Sequence, residues 1–254
     1  MPLDVVGSSQ INQIEVVKSI TPNMDGNSLG GTINIKSASG FDRDKRFIFG
    51  KFEAGTNTVA SGTLIDTDVT YGDTFQDGKV GLALSANYSK RPYASEELQS
   101  GFSYYEDGDQ FYPDGFEMQP REGERVRMGF NFNLEFRPDD TTELYLFGLY
   151  NQFNDEYRQQ EYIIGSRRDD GDIGDPPSID DRFHFLSPTL INVKRMRFEM
   201  RDFQRETDQT LVNVTAGARK RFDNLLVVGD ITYSVATEDV PFIKSVQFRT
   251  GNLD

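Results

Sequence analysis

A strict alternation of apolar and polar side chains is the clearest pattern along the chain. In residues 127–137, apolar side chains occupy every second position, and arginine, glycine, asparagine or glutamate fills the positions between them. The apolar members are Met128, Phe130, Phe132, Leu134 and Phe136. Because successive side chains of a strand point to opposite faces, a period of two predicts a strand with one apolar and one polar face. Residues 79–89 repeat the pattern, and weaker forms predict strands in residues 46–55, 63–75, 143–153, 209–222 and 225–236.

The connections between these predicted strands alternate between short and long. Short links follow Phe75, Phe136 and Arg221 and contain the Asp, Asn, Gly or Pro that turns require. Long links cover about residues 91–122 and 158–194, far beyond the usual length of a hairpin loop. The short turns are therefore expected on one rim and the long loops on the other. With strand segments of about 10 residues, this asymmetry is typical of an outer-membrane β-barrel.

Aromatic residues at the strand ends agree with a barrel. Three phenylalanines lie beside the short turns and three tyrosines near the opposite ends, as expected for the two interfacial girdles. They are Phe75, Phe136, Phe222, Tyr88, Tyr150 and Tyr233. The alternative is a soluble β-sandwich whose Phe and Tyr side chains face a core. The unequal connections favour the barrel over the sandwich.

Composition narrows the class further. Hydrophobic residues make up 36% of the chain, the mean hydropathy is -0.57, and no run approaches the roughly 18 apolar residues of a membrane helix. A helical membrane protein is therefore excluded, whereas a membrane β-barrel is not. The net charge of -14 disfavours a nucleic-acid partner, whose phosphates would be repelled. The absence of cysteine excludes disulfides and thiolate metal sites. No signal peptide begins at Met1, so an exported protein of this kind is expected to have further sequence upstream.

Residues 1–40 lack the long alternating segments of the rest of the chain. Their sequence predicts two short strands, in residues 11–19 and 29–37, on either side of a polar turn. In order and spacing, residues 11–42 resemble the end of the plug domain of TonB-dependent receptors, in particular the subgroup of Caulobacter- and Xanthomonas-like bacteria. The matching positions include Glu15, Lys18, Pro22, Asp25, Gly30, Gly31 and Asn34. Ser19 and the pair Asp25-Gly26 depart from the wider family, which usually has Gly and Tyr-Gly there. Residues 196–224 and 230–241 resemble the sixth and seventh strands of the same subgroup.

The resemblance implies an all-β fold with two parts. Residues 1–40 would be the C-terminal end of a plug domain, and residues 41–254 the first strands of an antiparallel transmembrane barrel of about 22 strands. Further plug and strand sequence, and the box that contacts TonB, would lie outside this chain.

The function that the resemblance implies is uptake of a scarce solute, an oligosaccharide or a ferric siderophore, across the outer membrane of a Gram-negative bacterium. The partners would be the TonB-ExbB-ExbD complex, outer-membrane lipid and the solute, with no cofactor, no metal and no enzymatic step. Saccharides are favoured slightly by the subgroup. Two other classes stay open: a soluble carbohydrate-binding β module and, with less support, a small outer-membrane barrel enzyme.

Several loop residues are candidates for chemistry. The first long loop combines aromatic rings with acidic groups, which suits sugar binding as well as simple loop packing. The rings proposed to bind ligand are Tyr104, Tyr105, Phe111 and Tyr112. His184 is the single histidine and lacks evident catalytic partners. The acidic run in residues 169–181 lacks the ligand spacing of a calcium loop, so a solvated loop is the preferred interpretation.

A row of arginines with odd spacing precedes the sixth predicted strand. Its members are Arg195, Arg197, Arg201 and Arg205. In a strand they would share one face, either as a solvated rim, which is the preferred interpretation, or as a basic track that faces ligand. A helix is also compatible with the local composition.

Overall fold

The computed structural model describes residues 13–18, 32–43, 45–100, 104–107, 110–113, 115–165, 183–187, 190–193 and 197–250. Their strands in chain order are β1 Gln13–Val17, β2 Thr32–Lys36, β3 Phe47–Thr56, β4 Thr63–Phe75, β5 Val80–Ser95, β6 Leu98–Ser100, β7 Tyr104–Asp107 and β8 Gln110–Pro113. They continue with β9 Gly115–Met118, β10 Arg121–Asp139, β11 Thr142–Gly165, β12 Phe183–Ser187, β13 Leu190–Val193, β14 Arg197–Phe222 and β15 Leu225–Arg249. One turn of 3-10 helix covers Gly40–Asp42.

Seven long strands form an antiparallel sheet in the order β15-β14-β11-β10-β5-β4-β3. Each strand lies beside the next long strand in the sequence, so the sheet is a meander. The short strands β6 and β9 extend it beside β11, while β1–β2, β7–β8 and β12–β13 form separate two-stranded units. The sheet is not closed, because β3 and β15 form its two edges. The expected all-β, antiparallel fold is therefore confirmed, and the two predicted short strands before residue 40 are present as β1 and β2.

The register places apolar residues beside apolar residues, and small or polar residues beside one another, on neighbouring strands. One row of directly paired residues runs through five strands and is apolar throughout: Leu82, Leu134, Leu146, Ala216 and Ile231. The neighbouring row on the opposite side is mostly small or polar: Ala83, Asn133, Phe147, Thr215 and Thr232. A shift of one residue would move every side chain to the other side, so this alternation fixes the register. The two sides are called the apolar face and the polar face below.

Burial of the two faces is the reverse of that in a soluble protein. On the apolar face, Phe130 is 44% exposed and Ile231 is 81% exposed. On the polar face, Asn131 is 4% exposed and Asn151 is 1% exposed. The hydrophobic core within the described residues is correspondingly small, a contact between Phe153 and Leu211 with Leu149 beside them. Water-soluble sheets bury their apolar side chains, so this sheet presents large apolar side chains to its surroundings.

The short turns match the predicted ones and have clear local causes. After β4, Gln76, Asp77 and Gly78 all have positive φ, of 54°, 57° and 79°. After β10, the carboxylate of Asp139 accepts hydrogen bonds from the backbone N–H and the hydroxyl of Thr141 at 2.8 and 2.5 Å. This side chain replaces backbone partners that a two-residue loop leaves unpaired. The third turn pairs Phe222 directly with Leu225.

The opposite strand ends reach much farther than predicted. Strand β11 continues to Gly165 and β14 begins at Arg197. The prediction that the second long link begins at about residue 158 is therefore wrong. Strand β5 likewise continues to Ser95. The cause is backbone pairing beyond the alternating segments: residues 158–165 face residues 197–204 across a continuous ladder. The same ladder excludes the helical alternative for the arginine-rich stretch.

Candidate functional site on the polar face

The aromatic residues proposed to bind ligand belong to a hairpin. Tyr104 and Tyr105 lie in β7, Phe111 and Tyr112 lie in β8, and Tyr105 pairs with Tyr112 across the ladder. The segment is therefore a two-stranded unit within the first long link. Their side chains lie outside what the structure describes, so ligand binding by these rings stays a prediction.

The residues of the plug-like motif are only partly within the described ranges. Glu15 in β1 pairs with Asn34 in β2, and its carboxylate lies 3.7 Å from the ammonium of Lys36. Lys18 is exposed at the end of β1. The remaining members, Pro22, Asp25, Gly30 and Gly31, lie outside the described residues. Glu15 and Asn34 therefore belong to a small antiparallel pair of strands.

Metal chemistry finds no support in the described part of the chain. No group of three or more His, Asp or Glu side chains there is arranged to hold a metal ion. The backbone of His184 pairs with Asn192 in the hairpin β12–β13. The acidic run of residues 169–181 lies outside the described residues. Among the described residues, no helix has the length and hydrophobicity needed to cross a membrane.

Near the short turns, residues 37–43, called the linker segment, dock on the polar face. The hydroxyl of Ser39 donates a hydrogen bond to Glu135, and the carbonyl of Ala38 accepts one from Asn133 Nδ2 at 3.2 Å. The ring of Phe41 lies 3.9 Å beneath the guanidinium of Arg137. The linker segment approaches so closely that a side chain at Gly81 would collide with the Phe41 ring.

Arg137 connects this docking contact to a groove at the same rim. Its guanidinium donates to Glu135 at 2.7 Å and to Glu143 at 3.2 Å. Arg219 on β14 also donates to Glu143, at 2.9 Å. Arg137, Glu143 and Arg219 line a groove of about 580 Å³ between the linker segment and the turn at Asp139. Each of these three groups has an oppositely charged partner, so none of them is free to bind a charged ligand.

The opposite, outer end of the polar face carries a different arrangement. Five residues from four strands meet there and are called the arginine–tyrosine cluster: Tyr93, Arg121, Arg125, Tyr157 and Arg205. The guanidinium of Arg125 lies 4.5 Å from the ring of Tyr93, and that of Arg121 lies 4.8 Å from the ring of Tyr157. These are cation–π distances, so each guanidinium is attracted by the face of its ring.

Register explains how the cluster forms. Tyr93, Gly123, Tyr157 and Arg205 occupy one row of directly paired positions across β5, β10, β11 and β14. Gly123 has no side chain, and the ring of Tyr93 fills the space that a Cβ there would need. The glycine therefore lets the two tyrosines approach each other across an intervening strand.

The residues of the arginine–tyrosine cluster differ in their hydrogen-bond partners. The hydroxyl of Tyr93 donates to Asp155 at 2.9 Å. Burial, reinforced by this hydrogen bond, raises the pKa of Tyr93 to about 12. Arg125 lies 3.4 Å from the same carboxylate, while Arg121 donates to the neutral amide of Gln159. The Nε of Arg205 is buried and has no hydrogen-bond partner.

A cavity of about 340 Å³ lies at the cluster. Tyr93, Gly123, Tyr157 and Arg205 contribute to its lining, together with the buried Ala60 from the link between β3 and β4. Cavities of this size accept small organic ligands. Apolar ring surfaces and the unpaired Nε of Arg205 together suit a ligand that carries an oxyanion.

Between the two ends of the polar face lies a row of buried amides. Asn87 and Asn151 flank Gly129 in one row, and Gln209 lies one row farther out. The Oδ1 of Asn87, both amide atoms of Asn151 and the Oε1 of Gln209 are buried without a hydrogen-bond partner. Buried amides are normally paired, so this row is ready to bond water or another polar group placed over the face.

Sequence reasoning found one member of the cluster and missed four. Arg205 was expected on a solvated rim together with Arg201. The rim interpretation is wrong for Arg205, whose Nε is buried. Arg201 is bound instead by Glu199 at 2.6 Å and Glu161 at 3.3 Å. The side chain of Arg197, and Arg195 entirely, lie outside the described residues.

Comparisons with known proteins add no assignment. The chain matches no family model, and comparisons with curated proteins and with solved structures find no match either. The function is therefore argued from the sheet and its two faces.

Proposed function

We propose that the chain forms part of the wall of an outer-membrane β-barrel, of the kind found in TonB-dependent receptors, which takes up a scarce solute. The observation that carries the proposal is the inverted burial of the sheet. An exposed apolar face beside a buried polar face suits a sheet with hydrocarbon on one side and a polar lumen on the other. A soluble sheet exposing this much apolar surface would aggregate.

The height of the apolar band agrees with a bilayer. On β10 the apolar face is apolar from Val126 to Phe136, which covers about 33 Å along the strand at roughly 3.3 Å per residue. A tilt of about 40° reduces this to a height of about 25 Å, the height of the lipid-facing band in outer-membrane barrels.

The aromatic residues at the ends of the band support the same placement. All six belong to the apolar face and are exposed: Phe75, Phe136 and Phe222 near the short turns, and Tyr88, Tyr150 and Tyr233 toward the other end. Aromatic rings, and tyrosines with their hydroxyls above all, are favoured where hydrocarbon meets the polar headgroups.

The linker segment fits the expected junction between plug and barrel. It follows β2 and docks on the polar face at the rim of the short turns, which would be the periplasmic rim. In this proposal the polar face lines the lumen, and further strands continue the sheet from the edges β3 and β15. Uptake would then be driven by the TonB-ExbB-ExbD complex acting on a plug, with no covalent step.

Site-directed spin labelling tests the membrane placement, and the cysteine-free chain needs no background substitutions. Single cysteines would replace Phe130, Leu134 and Tyr150 on the apolar face, and the exposed Thr232 and Ser234 on the polar face as controls. After folding into lipid vesicles, labels on the apolar face should be accessible to dissolved oxygen, and labels on the polar face to a water-soluble nickel reagent.

Two results would overturn the proposal. One is a folded, monomeric chain in buffer without detergent, which is the behaviour of a soluble carbohydrate-binding module. The other is equal accessibility of both sets of labels to the water-soluble reagent. Fractionation of a Gram-negative host that exports the chain gives an independent check, because the proposal requires the folded chain in the outer-membrane fraction.

A further inference from the structure

We infer that the arginine–tyrosine cluster is a binding site for a small organic anion, a ring-bearing ligand with a carboxylate or phosphate oxyanion. The site deepens the proposed function by naming a ligand class. It does not depend on the membrane placement of the sheet, since its residues lie on the face opposite the exposed apolar one.

The unpartnered donor of Arg205 is the first support. Its Nε is buried, and no carboxylate, carbonyl or hydroxyl of the described residues accepts its hydrogen. Burying a charged donor without an acceptor costs more folding free energy than burying a neutral one. Such a group in a folded protein therefore points to a bound ligand or water. An oxyanion in the adjacent cavity would complete the bond.

The charge balance of the cluster is the second support. Three guanidinium groups, those of Arg121, Arg125 and Arg205, share one contacting carboxylate among the described residues, that of Asp155. The cluster is therefore locally cationic within a chain of net charge -14. Charge of this sign attracts and orients an anion and repels a cation.

Three glutamates near the cavity belong to the opposite face of the sheet. Glu122, Glu124 and Glu156 contribute to the lining, but their positions alternate with those of the cluster, so their side chains leave the sheet on the other face. Glu124 is already paired there with Lys90 at 2.8 Å.

The tyrosine rings determine what the anion is attached to. Tyr93 and Tyr157 lie in one row on either side of Gly123, and Tyr157 also contacts the ring of Phe203 with centroids 5.8 Å apart. Ring faces of this kind bind flat, partly apolar groups such as a sugar or an aromatic ring. Bare phosphate would use the guanidinium groups alone.

Calorimetric titration of the full chain, folded in detergent micelles, tests the site with three probes: glucuronate, glucose and inorganic phosphate. Glucuronate combines ring and oxyanion and should bind tightest. Glucose lacks the charge and should bind about tenfold more weakly or worse, the usual contribution of a charged hydrogen bond. Phosphate lacks the ring and should also bind more weakly.

Arg205→Gln should weaken glucuronate binding by about tenfold or more while changing glucose binding little. Arg219→Gln is the matched control, because Arg219 lies on the same face of the same strand at the opposite rim. Arg205→Lys keeps the charge without the planar fork and should give an intermediate loss. Far-ultraviolet circular dichroism reports whether Arg205→Gln folds. If it does not fold, the glucuronate affinity of Arg205→Lys tests the role of Arg205.

Equal affinity for glucuronate and glucose would overturn the inference, as would unchanged glucuronate affinity in both Arg205 variants. Phosphate binding as tight as glucuronate would overturn the part that concerns the ring. All these results are independent of the membrane test, which reports on the other face of the sheet.

Discussion

Glu135 illustrates how single residues of the polar face join separate parts of the chain. It is 6% exposed and accepts hydrogen bonds from Ser39 of the linker segment and from Arg137 on its own strand. Asn133 donates to the same carboxylate at 3.1 Å and also to the linker backbone. A buried carboxylate is stable only with several donors of this kind, so the docked linker is part of what allows Glu135 to be buried.

Tyr93 provides a pH-dependent prediction at the residue scale. Burial and the hydrogen bond to Asp155 raise its pKa to about 12, so the folded protein holds this proton more tightly than the unfolded chain. The stabilisation is fully present below the ordinary tyrosine pKa of about 10 and is lost as the pH rises from about 10 to 12. Stability should therefore fall over this interval, and less so in Tyr93→Phe.

The measurement is a difference titration. The ultraviolet absorbance of tyrosinate in the wild-type chain, minus that of Tyr93→Phe, isolates one ionisation, expected near pH 12. Asp155→Asn removes the negative charge but not the burial, so the same step should shift toward, without reaching, its ordinary value. A difference curve centred at pH 10 would show that Tyr93 is neither buried nor bonded as described.

At the scale of strands, aromatic rings that cover glycines help to hold neighbouring strands in register. The ring of Tyr145 on β11 occupies the space over Gly217, its direct partner on β14. Phe132 covers Gly148 on the apolar face in the same way. Such pairs bury backbone and ring together, and they tolerate no side chain at the glycine.

Gly217→Ala should accordingly destabilise the sheet by about 1–3 kcal/mol, because the added methyl group collides with the Tyr145 ring. Gly229→Ala is the matched control on the adjacent strand β15, where an added Cβ meets no atom within 4 Å. It should be neutral or stabilise the strand by about 0.5 kcal/mol. Urea titrations in detergent, followed by circular dichroism, measure both, and equal effects would contradict the packing.

Strand positions were predictable wherever one face is apolar. Alternation located all seven long strands, and the turn residues located the ends at the short turns, with β4 predicted at Thr63–Phe75 as observed. The outer parts of β11 and β14 mix polar and apolar side chains on each face and so show no regular alternation. Their pairing depends on cross-strand contacts such as Arg158 with Asp202 at 2.8 Å, which only the register reveals.

The candidate site was less predictable, because it depends on which strands become neighbours. Tyr93, Arg125 and Arg205 are far apart in the sequence and lie in segments without a distinctive motif. The signal that could have found them is Gly123, a small residue on the polar side of a strand, which lets rings from its two neighbours approach. That interpretation requires the pairing of β5, β10 and β11 to be known first.

At the scale of the whole molecule, the apolar face and the two edges of the sheet require different surroundings. In a membrane, the apolar face would contact hydrocarbon, whereas the free backbone groups of β3 and β15 would need hydrogen-bond partners, which hydrocarbon does not provide. A lipid-embedded sheet with these edges therefore requires further strands on both sides, and the proposed barrel supplies them. In a soluble sandwich, water would satisfy the edges, but a second layer would still have to cover the apolar face.

The apolar band also predicts a preferred bilayer thickness. A band about 25 Å high matches a thin bilayer better than a hydrocarbon core of about 30 Å, and mismatch costs a fraction of a kcal/mol per Å. Folding yields in phosphatidylcholine vesicles of increasing acyl length, measured by protection from protease, should therefore peak at the thinner membranes. A yield that rises steadily with thickness would contradict the proposed band.

A triple variant tests whether this preference belongs to the band itself. Gln152, Thr210 and Thr237 form one row across β11, β14 and β15, level with Met128 of β10, and are the first polar residues beyond the apolar segments of those three strands. Replacing all three with leucine lengthens the apolar segments of these strands by one row, so the optimum should move to a thicker bilayer. Leucine at Asn213 and Ser234, which pair on the polar face of β14 and β15, adds hydrophobicity without lengthening those segments. It should leave the optimum unchanged, because only side chains on the apolar face would contact lipid.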